Sequence, residues 1–273
     1  MLVETHAHLD YPDFAPDFAE VLARAKEAEI SKIVTIGVSL ESSRRAIALA
    51  EQHPQVYAVV GSHPTDLSDT GNLSQLGEEL LRMAQHPKVA AIGESGLDYY
   101  RLPSSRMGEV AIIEAAELDS AYIEEQKERF SLQLKLAEET GLNMVIHQRS
   151  AWEDTLEMMK PFEAGVRGVF HCFVGDPAQA QQLVERGHLV SFTGIVTFKN
   201  GKDVLQTATQ VPLEHLMVET DCPYLAPTPF RGKRCEPAHT RLVAQQIAMA
   251  RGMSLADFAT ATTRTAENFF RLA

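Results

Sequence analysis

Eight short runs of β-branched and other apolar residues punctuate this chain, and the stretches between them carry helical spacing. This alternation restricts the fold more than any other feature. The runs are Leu2–Thr5, Lys32–Ile36, Val56–Val60, Ala90–Ile92, Asn143–Ile146, Gly168–Phe170, Leu189–Phe192 and Leu216–Glu219. Between them, Phe18–Ile30, Arg44–His53 and Gln126–Thr140 repeat apolar residues at intervals of three and four, as helices that cover a sheet do. Strand–helix alternation is the signature of βα units and a parallel sheet. Eight units in 273 residues predict an α/β fold of the (β/α)8 TIM-barrel type. An open doubly wound sheet is the alternative, but no Gly-rich dinucleotide fingerprint follows the first run.

Helix starts are readable locally. Asp176-Pro177 reads as an N-cap followed by the first helical residue, and Ser254 with Asp257 starts another helix. Ser150 with Glu153 resembles a capping box. No repeat, low-complexity tract or Pro/Gly/Ser linker divides the chain, so one domain spanning 1–273 is expected. The irregular segment is Leu102–Tyr122, after the fourth strand, where Pro103-Ser104-Ser105 precedes an apolar and acidic stretch. An insert at that point predicts either a lid or partner contact on the catalytic face, or a surface helix. Its charges are Glu109, Glu114, Glu117 and Asp119 against Arg106, which would make such a lid acidic.

Apolar residues make up 45% of the chain and charged ones 23%, which excludes general disorder and fibrous folds. No apolar run approaches the roughly 18 residues that span a bilayer, and the first residues lack a basic flank before an apolar stretch. Three scattered cysteines, Cys172, Cys222 and Cys235, make neither a disulfide framework nor a Cys-rich zinc site, so a cytoplasmic location is expected. A net charge of −12 excludes a protein that coats nucleic acid through a broad basic face. Nucleic acid as a substrate stays open, because a small site can hold one or two phosphates on cations whatever the global charge.

Chemistry-bearing residues recur where strands end. His6 and His8 are two apart on the first run, so both rings can face one cation. Alone, such a pair is as compatible with core or surface histidines. His147 and His171 then close the fifth and sixth runs, and Asp221 follows the eighth. In a barrel these positions converge at the C-terminal mouth. Glu94, after the fourth strand, completes the set, and a carboxylate between two cations can bridge them. Mixed His and carboxylate ligands suit zinc, manganese, iron and, less selectively, magnesium.

His6-Ala7-His8-Leu9-Asp10, Gly61-Ser62-His63-Pro64, Gly93-Glu94-Ser95-Gly96-Leu97-Asp98-Tyr99-Tyr100, Ile146-His147-Gln148-Arg149, Phe170-His171-Cys172-Phe173 and Glu219-Thr220-Asp221-Cys222-Pro223-Tyr224-Leu225-Ala226-Pro227 together resemble the TatD-type metal-dependent deoxyribonucleases of the amidohydrolase-like barrels. The resemblance runs along nearly the whole chain. It implies two divalent metal ions (Zn, Mg or Mn), with His6, His8 and Asp221 on one, His147 and His171 on the second, and Glu94 shared. Relatives that use a carboxylated lysine instead are set apart, since no lysine stands at the end of the fourth or fifth strand. Two positions depart from the family pattern. Glu4 stands where an Asp usually precedes the His pair, which bears on hydrogen bonding around the ligands. Cys235 replaces an Asn near the expected substrate loop, which bears on substrate preference.

Other residues keep two readings. His63 is a substrate-phosphate contact or a structural histidine in its Gly-x-His-Pro turn. Arg149 offers a planar fork to phosphate, or forms a surface ion pair. Glu219 is expected to bind substrate or a further cation. Cys172 and Cys222 adjoin ligands but should point the other way as small apolar residues. Asn268-Phe269-Phe270 reads as a core-docking terminal helix. The expected activity is a hydrolase, a deoxyribonuclease or exonuclease cleaving phosphodiester bonds of DNA, with RNA open, from single-stranded ends by a metal-activated water. Asp221 and Glu94 are the expected catalytic carboxylates. The alternatives are hydrolysis of another ester or amide on the same centre, and a metal-binding partner-docking protein without turnover.

Overall fold

All eight expected strands form and pair in sequence order in one parallel sheet: β1 (Leu2–Ala7), β2 (Ile30–Ile36), β3 (Val56–Val60), β4 (Val89–Asp98), β5 (Asn143–Arg149), β6 (Gly168–Phe170), β7 (Leu189–Phe192) and β8 (Leu216–Val218). The computed structural model describes residues 1–67, 72–106 and 112–273. Helices α1 (Phe18–Glu27), α2 (Leu40–Gln52), α3 (Leu73–Ala84), α4 (Ile112–Thr140), α5 (Trp152–Met159), α6 (Pro177–Glu185), α7 (Lys202–Gln210) and α8 (Thr240–Ala250) surround the sheet, and α9 (Leu255–Phe270) ends the chain. The result is the (β/α)8 barrel.

Closure happens just past β8. The Asp221 N–H donates to His6 O at 2.9 Å and the His8 N–H to Cys222 O at 2.9 Å. Thr5 Oγ1 donates to Val218 O at 3.0 Å. The backbone bonds that seal the seam therefore hold His6, His8 and Asp221 side by side. One buried side chain reinforces them: Glu4 Oε1 accepts from the His6 N–H at 2.8 Å and from the Thr220 N–H at 3.1 Å.

Burial explains the strand sequences. β1, β3, β4, β6, β7 and β8 are buried at every position, because the barrel interior covers one face and the helices the other. Inside the barrel, Val3, Val34, Val59, Val145, Leu189 and Met217 join Phe269 and Phe270 of α9 in one cluster. The interior is thus filled, and the terminal aromatic pair docks on the core as expected. Among the described residues, no helix is long and apolar enough to cross a membrane.

Three expectations change. β4 and β5 continue past their apolar runs, pairing Ser95 to Asp98 with Ile146 to Arg149, so Glu94 and His147 lie within strands rather than at their ends. Polar and glycine residues hid this continuation. Here Gly96 has φ 147°, and a Cβ on it would fall 1.9 Å from His147 O. Only glycine lets the two ligand-bearing strands approach so closely. Ser150 caps nothing: it takes φ 56°, and α5 starts after Ala151 without a side-chain cap. Asp176 and Ser254 do cap α6 and α9.

The third concerns the insert. Its described part is a 3-10 turn, Pro103–Arg106, and the start of α4, which runs 29 residues. Ser104 ties the two, donating from N–H and Oγ to the Asp119 carboxylate at 2.9 and 2.5 Å. Glu117 is exposed. Among the described residues of the segment, none borders the cavities at the barrel mouth, so these take the surface-helix reading. Glu109 and the side chains of Arg106 and Glu114 lie outside the described residues.

Candidate metal centre

Six side chains from five places in the sequence meet at the barrel mouth. Glu94 is central and its two oxygens divide the group. Oε2 faces His6 Nε2 at 3.3 Å and His8 Nε2 at 3.9 Å, while Oε1 faces His147 Nδ1 at 2.8 Å and His171 Nε2 at 2.7 Å. Asp221 Oδ1 lies 3.3 Å from His8 Nε2 and 3.7 Å from His6 Nε2. The ligand-type atoms of His6, His8 and Asp221 form one compact group, and those of His6, Glu94 and His171 another. All six residues named in the sequence as ligand candidates are thus brought together.

The chemistry of this set fits divalent cations. His6 is fully buried, yet neither ring nitrogen has a hydrogen-bond partner among the described residues. Buried polar atoms without partners are costly unless something else satisfies them. Burial pushes the Glu94 carboxyl up, but the facing His171, His63 and His6 outweigh it and hold it well below the usual carboxylate range. For Asp221 too, burial is outweighed by His8 and His6, so the carboxyl sits low. Both carboxylates are ionised and ready to ligate.

Outer groups fix the rings. Asp98, whose buried Oδ1 accepts from the Tyr100 and Arg101 N–H groups, places Oδ2 at 3.2 Å from His147 Nε2. A proton held there leaves the lone pair on Nδ1, aimed at Glu94 and the centre. No role for Asp98 followed from the sequence beyond its place in a motif. Glu219 differs from expectation. It is buried beneath the centre, taking hydrogen bonds from the Cys172 N–H at 2.6 Å and Ser191 Oγ at 2.5 Å, with Oε1 3.7 Å from His171 Nδ1. It backs His171 instead of facing the cavity.

His63 also reaches the centre, with Nε2 3.3 Å from Glu94 Oε1 and 3.2 Å from His147 Nδ1. The Thr65 N–H donates to its Nδ1 at 3.1 Å, so the neutral ring carries its proton on Nε2. Such a nitrogen donates a hydrogen bond and does not ligate. Arg149 stacks its guanidinium 3.8 Å above the Tyr100 ring and forms no ion pair among the described residues, against the ion-pair reading. Cys222 is buried as expected. Cys172 instead borders a cleft, because its φ of 47° takes the chain out of strand alternation, while burial pushes its thiol well up.

Two adjoining cavities open here. One, of about 240 Å³, holds the centre and is bordered by His8, Tyr11, His63, Glu94, Arg101 and Asp221 among others. The second, of about 470 Å³, shares Arg101, His147, His171, Asp221 and Tyr224 with it.

Comparison with known proteins agrees with this geometry. The pattern of the TatD related DNase family matches residues 3–271. The chain belongs to that family. It is 37% identical to the uncharacterized metal-dependent hydrolase YabD of Bacillus subtilis over the full length of both chains. It is 32% identical to the 3'-5' ssDNA/RNA exonuclease TatD of Shigella flexneri, covering 97% of each. Among solved structures, the TatD homolog YJJV of Escherichia coli superimposes with a TM-score of 0.86 at 26% identity, covering all of this chain and 98% of the other.

Both departures from the TatD-type pattern lie away from the cavities. Glu4 is fully buried in the barrel seam, where burial pushes its carboxyl up to about 8 against the lowering effect of Thr240. Cys235 is buried with Sγ 3.5 Å from His239 Nδ1, and it borders neither cavity. Cys235 therefore does not touch substrate space directly, but its N–H donates to Pro223 O at 2.9 Å, beside the cavity-lining Tyr224.

Proposed function

We propose that the chain is a two-metal phosphodiesterase that removes nucleotides from single-stranded ends of DNA, and of RNA, with residues 1–273 acting as one catalytic unit in the cytoplasm. The observation that carries this reading is the division of Glu94, with Oε2 turned to His6 and His8 and Oε1 to His147 and His171. A carboxylate so placed would be shared between two cations. His6, His8 and Asp221 would hold one, His147 and His171 the other. The three unpaired thiols suit a reducing compartment.

Bound divalent cations would lower the pKa of a water and offset charge on the phosphate. The protein supplies the rest. Asp221, ionised and bordering both cavities, orients the attacking water and accepts its proton. His63, whose Nε2–H faces Glu94 and His147, borders the cavity of the centre and would turn that N–H to a phosphate oxygen seated there. Arg149, which forms no ion pair among the described residues and stacks on Tyr100, presents its planar fork to the substrate backbone. The name of the Shigella relative supports single-stranded nucleic acid as substrate.

The test is an assay of chelator-stripped protein, restored with magnesium, manganese or zinc, on end-labelled single-stranded DNA and RNA and on an acyl ester. A ladder growing from one end and appearing only with metal is expected. Cleavage of the acyl ester without nucleic-acid cleavage would overturn the reading.

A further inference from the structure

We infer that the larger cleft beside the centre seats the base of the nucleotide whose phosphate lies at the cations, an inference that rests on the phosphodiesterase reading above. The two cavities are continuous in their walls: Arg101, His147, His171, Asp221 and Tyr224 border both. A group held at the centre can extend into the cleft without crossing protein.

The cleft differs chemically from the centre. Its remaining wall includes Val174, Ile195, Leu225 and Cys172, with Arg149 and Gln148 beside them. Val174 and Tyr224 are 61% and 54% exposed, so apolar and aromatic surface faces open space here. Asp221 is the one carboxylate among the described wall residues, against Arg101 and Arg149. Within a chain of net charge −12, that local excess of cations beside an apolar wall matches a flat base flanked by phosphates.

The wall is also built at a backbone cost. Cys172, Asp221 and Leu225 all border the cleft and all take positive φ, at 47°, 60° and 54°. Non-glycine residues seldom adopt this conformation, and such strain gathers at functional sites. Gly194 admits the Leu225 loop: a Cβ there would lie 2.2 Å from Leu225 O. The Leu225 turn is thus held against the end of β7 by design of both partners.

With Gln148 as its one side-chain amide among the described residues, Val174, Ile195 and Leu225 as its apolar wall, and Arg101 and Arg149 suited to phosphate, the cleft should grip any base through its face and discriminate weakly among them. Calorimetric titration of the metal-loaded protein with dAMP, 2-deoxyribose 5-phosphate and inorganic phosphate tests this. Native protein should bind dAMP about five- to a hundred-fold more tightly than the abasic sugar phosphate, the range that base stacking supplies. Replacing both Val174→Ala and Ile195→Ala, which border the cleft and not the centre's own cavity, should cut that ratio several-fold and leave the sugar phosphate affinity as it was. Equal binding of dAMP and sugar phosphate by native protein, or a ratio that survives the double substitution, would overturn the base seat alone. If none of the three compounds binds, the phosphodiesterase reading fails and the inference with it.

Discussion

Asp98 Oδ2 stands 3.2 Å from His147 Nε2, behind the ring whose Nδ1 faces Glu94 at 2.8 Å. One carboxylate therefore sets the tautomer of a candidate ligand. Asp98→Asn keeps the acceptor for the Tyr100 and Arg101 N–H groups but turns an amide donor toward Nε2, favouring the wrong tautomer. Metal affinity should fall about 10- to 100-fold, the usual cost of losing such a partner. Competition with a chelating dye measures it, and an unchanged affinity would remove Asp98 from the centre's support.

Glu4 makes a different prediction, on stability. Thr240 Oγ1 contacts both Glu4 Oε2 and Pro237 O, and its single hydrogen can serve only one of them. A protonated Glu4, donating to Thr240 while Thr240 donates to Pro237, satisfies all three, in keeping with a carboxyl pushed up to about 8 by burial. Glu4→Gln should then unfold in urea within about 1 kcal/mol of native protein. Glu4→Ala should lose about 2–4 kcal/mol, since the buried His6 and Thr220 N–H groups are left without an acceptor. Equal losses for the two variants would show that the seam depends on the charge and not on the hydrogen bonds.

Arg149→Lys keeps the charge but loses the fork and the plane that stacks on Tyr100. The substitution should raise KM for oligonucleotides about tenfold, roughly one charge-assisted hydrogen bond, with metal content unchanged. Unaltered kinetics across several oligonucleotides would return Arg149 to a structural role.

The fold was legible because burial on both faces of six of the eight strands, and of a continuous stretch of the other two, enforces apolar runs, and those survive in the bare sequence. Polar strand ends were not. Gly93-Glu94-Ser95-Gly96-Leu97-Asp98 has none of the β-branched or aromatic residues that favour strands, yet Ser95 to Asp98 pair with β5 because Gly96 permits the contact. The six ligand candidates were readable as His and carboxylates recurring at strand ends. Residues acting behind them were less so: Glu219 looked like a substrate contact because its adjacency to Asp221 gave no sign of depth, and Asp98 had no spacing that tied it to His147. Arg101 was missed since it stands outside every ligand pattern; only its place between the two cavities gives it interest.

His188 predicts a pH dependence remote from the centre. It is buried beside Phe170, its Nδ1 accepts from the Gly168 N–H at 3.1 Å, and burial pushes its pKa down to about 4. Since the folded value lies below the unfolded one of about 6.5, its contribution is fully present above pH 6.5 or so and is lost as pH falls toward 4. His188→Asn keeps the acceptor and cannot titrate. Between about pH 7.5 and 5, native protein should lose about 2 kcal/mol more stability than this variant. Parallel urea titration curves at both pH values would contradict the buried neutral ring.

The central claim is that Glu94 joins two cations, and counting metal per chain tests it most directly. Native protein equilibrated with zinc or manganese and freed of excess should carry two ions by elemental analysis. Glu94→Ala should keep its circular dichroism spectrum, carry at most one, and lose nearly all hydrolysis. Two ions per chain in both proteins, with normal turnover in the variant, would contradict the bridging role and the account built on it.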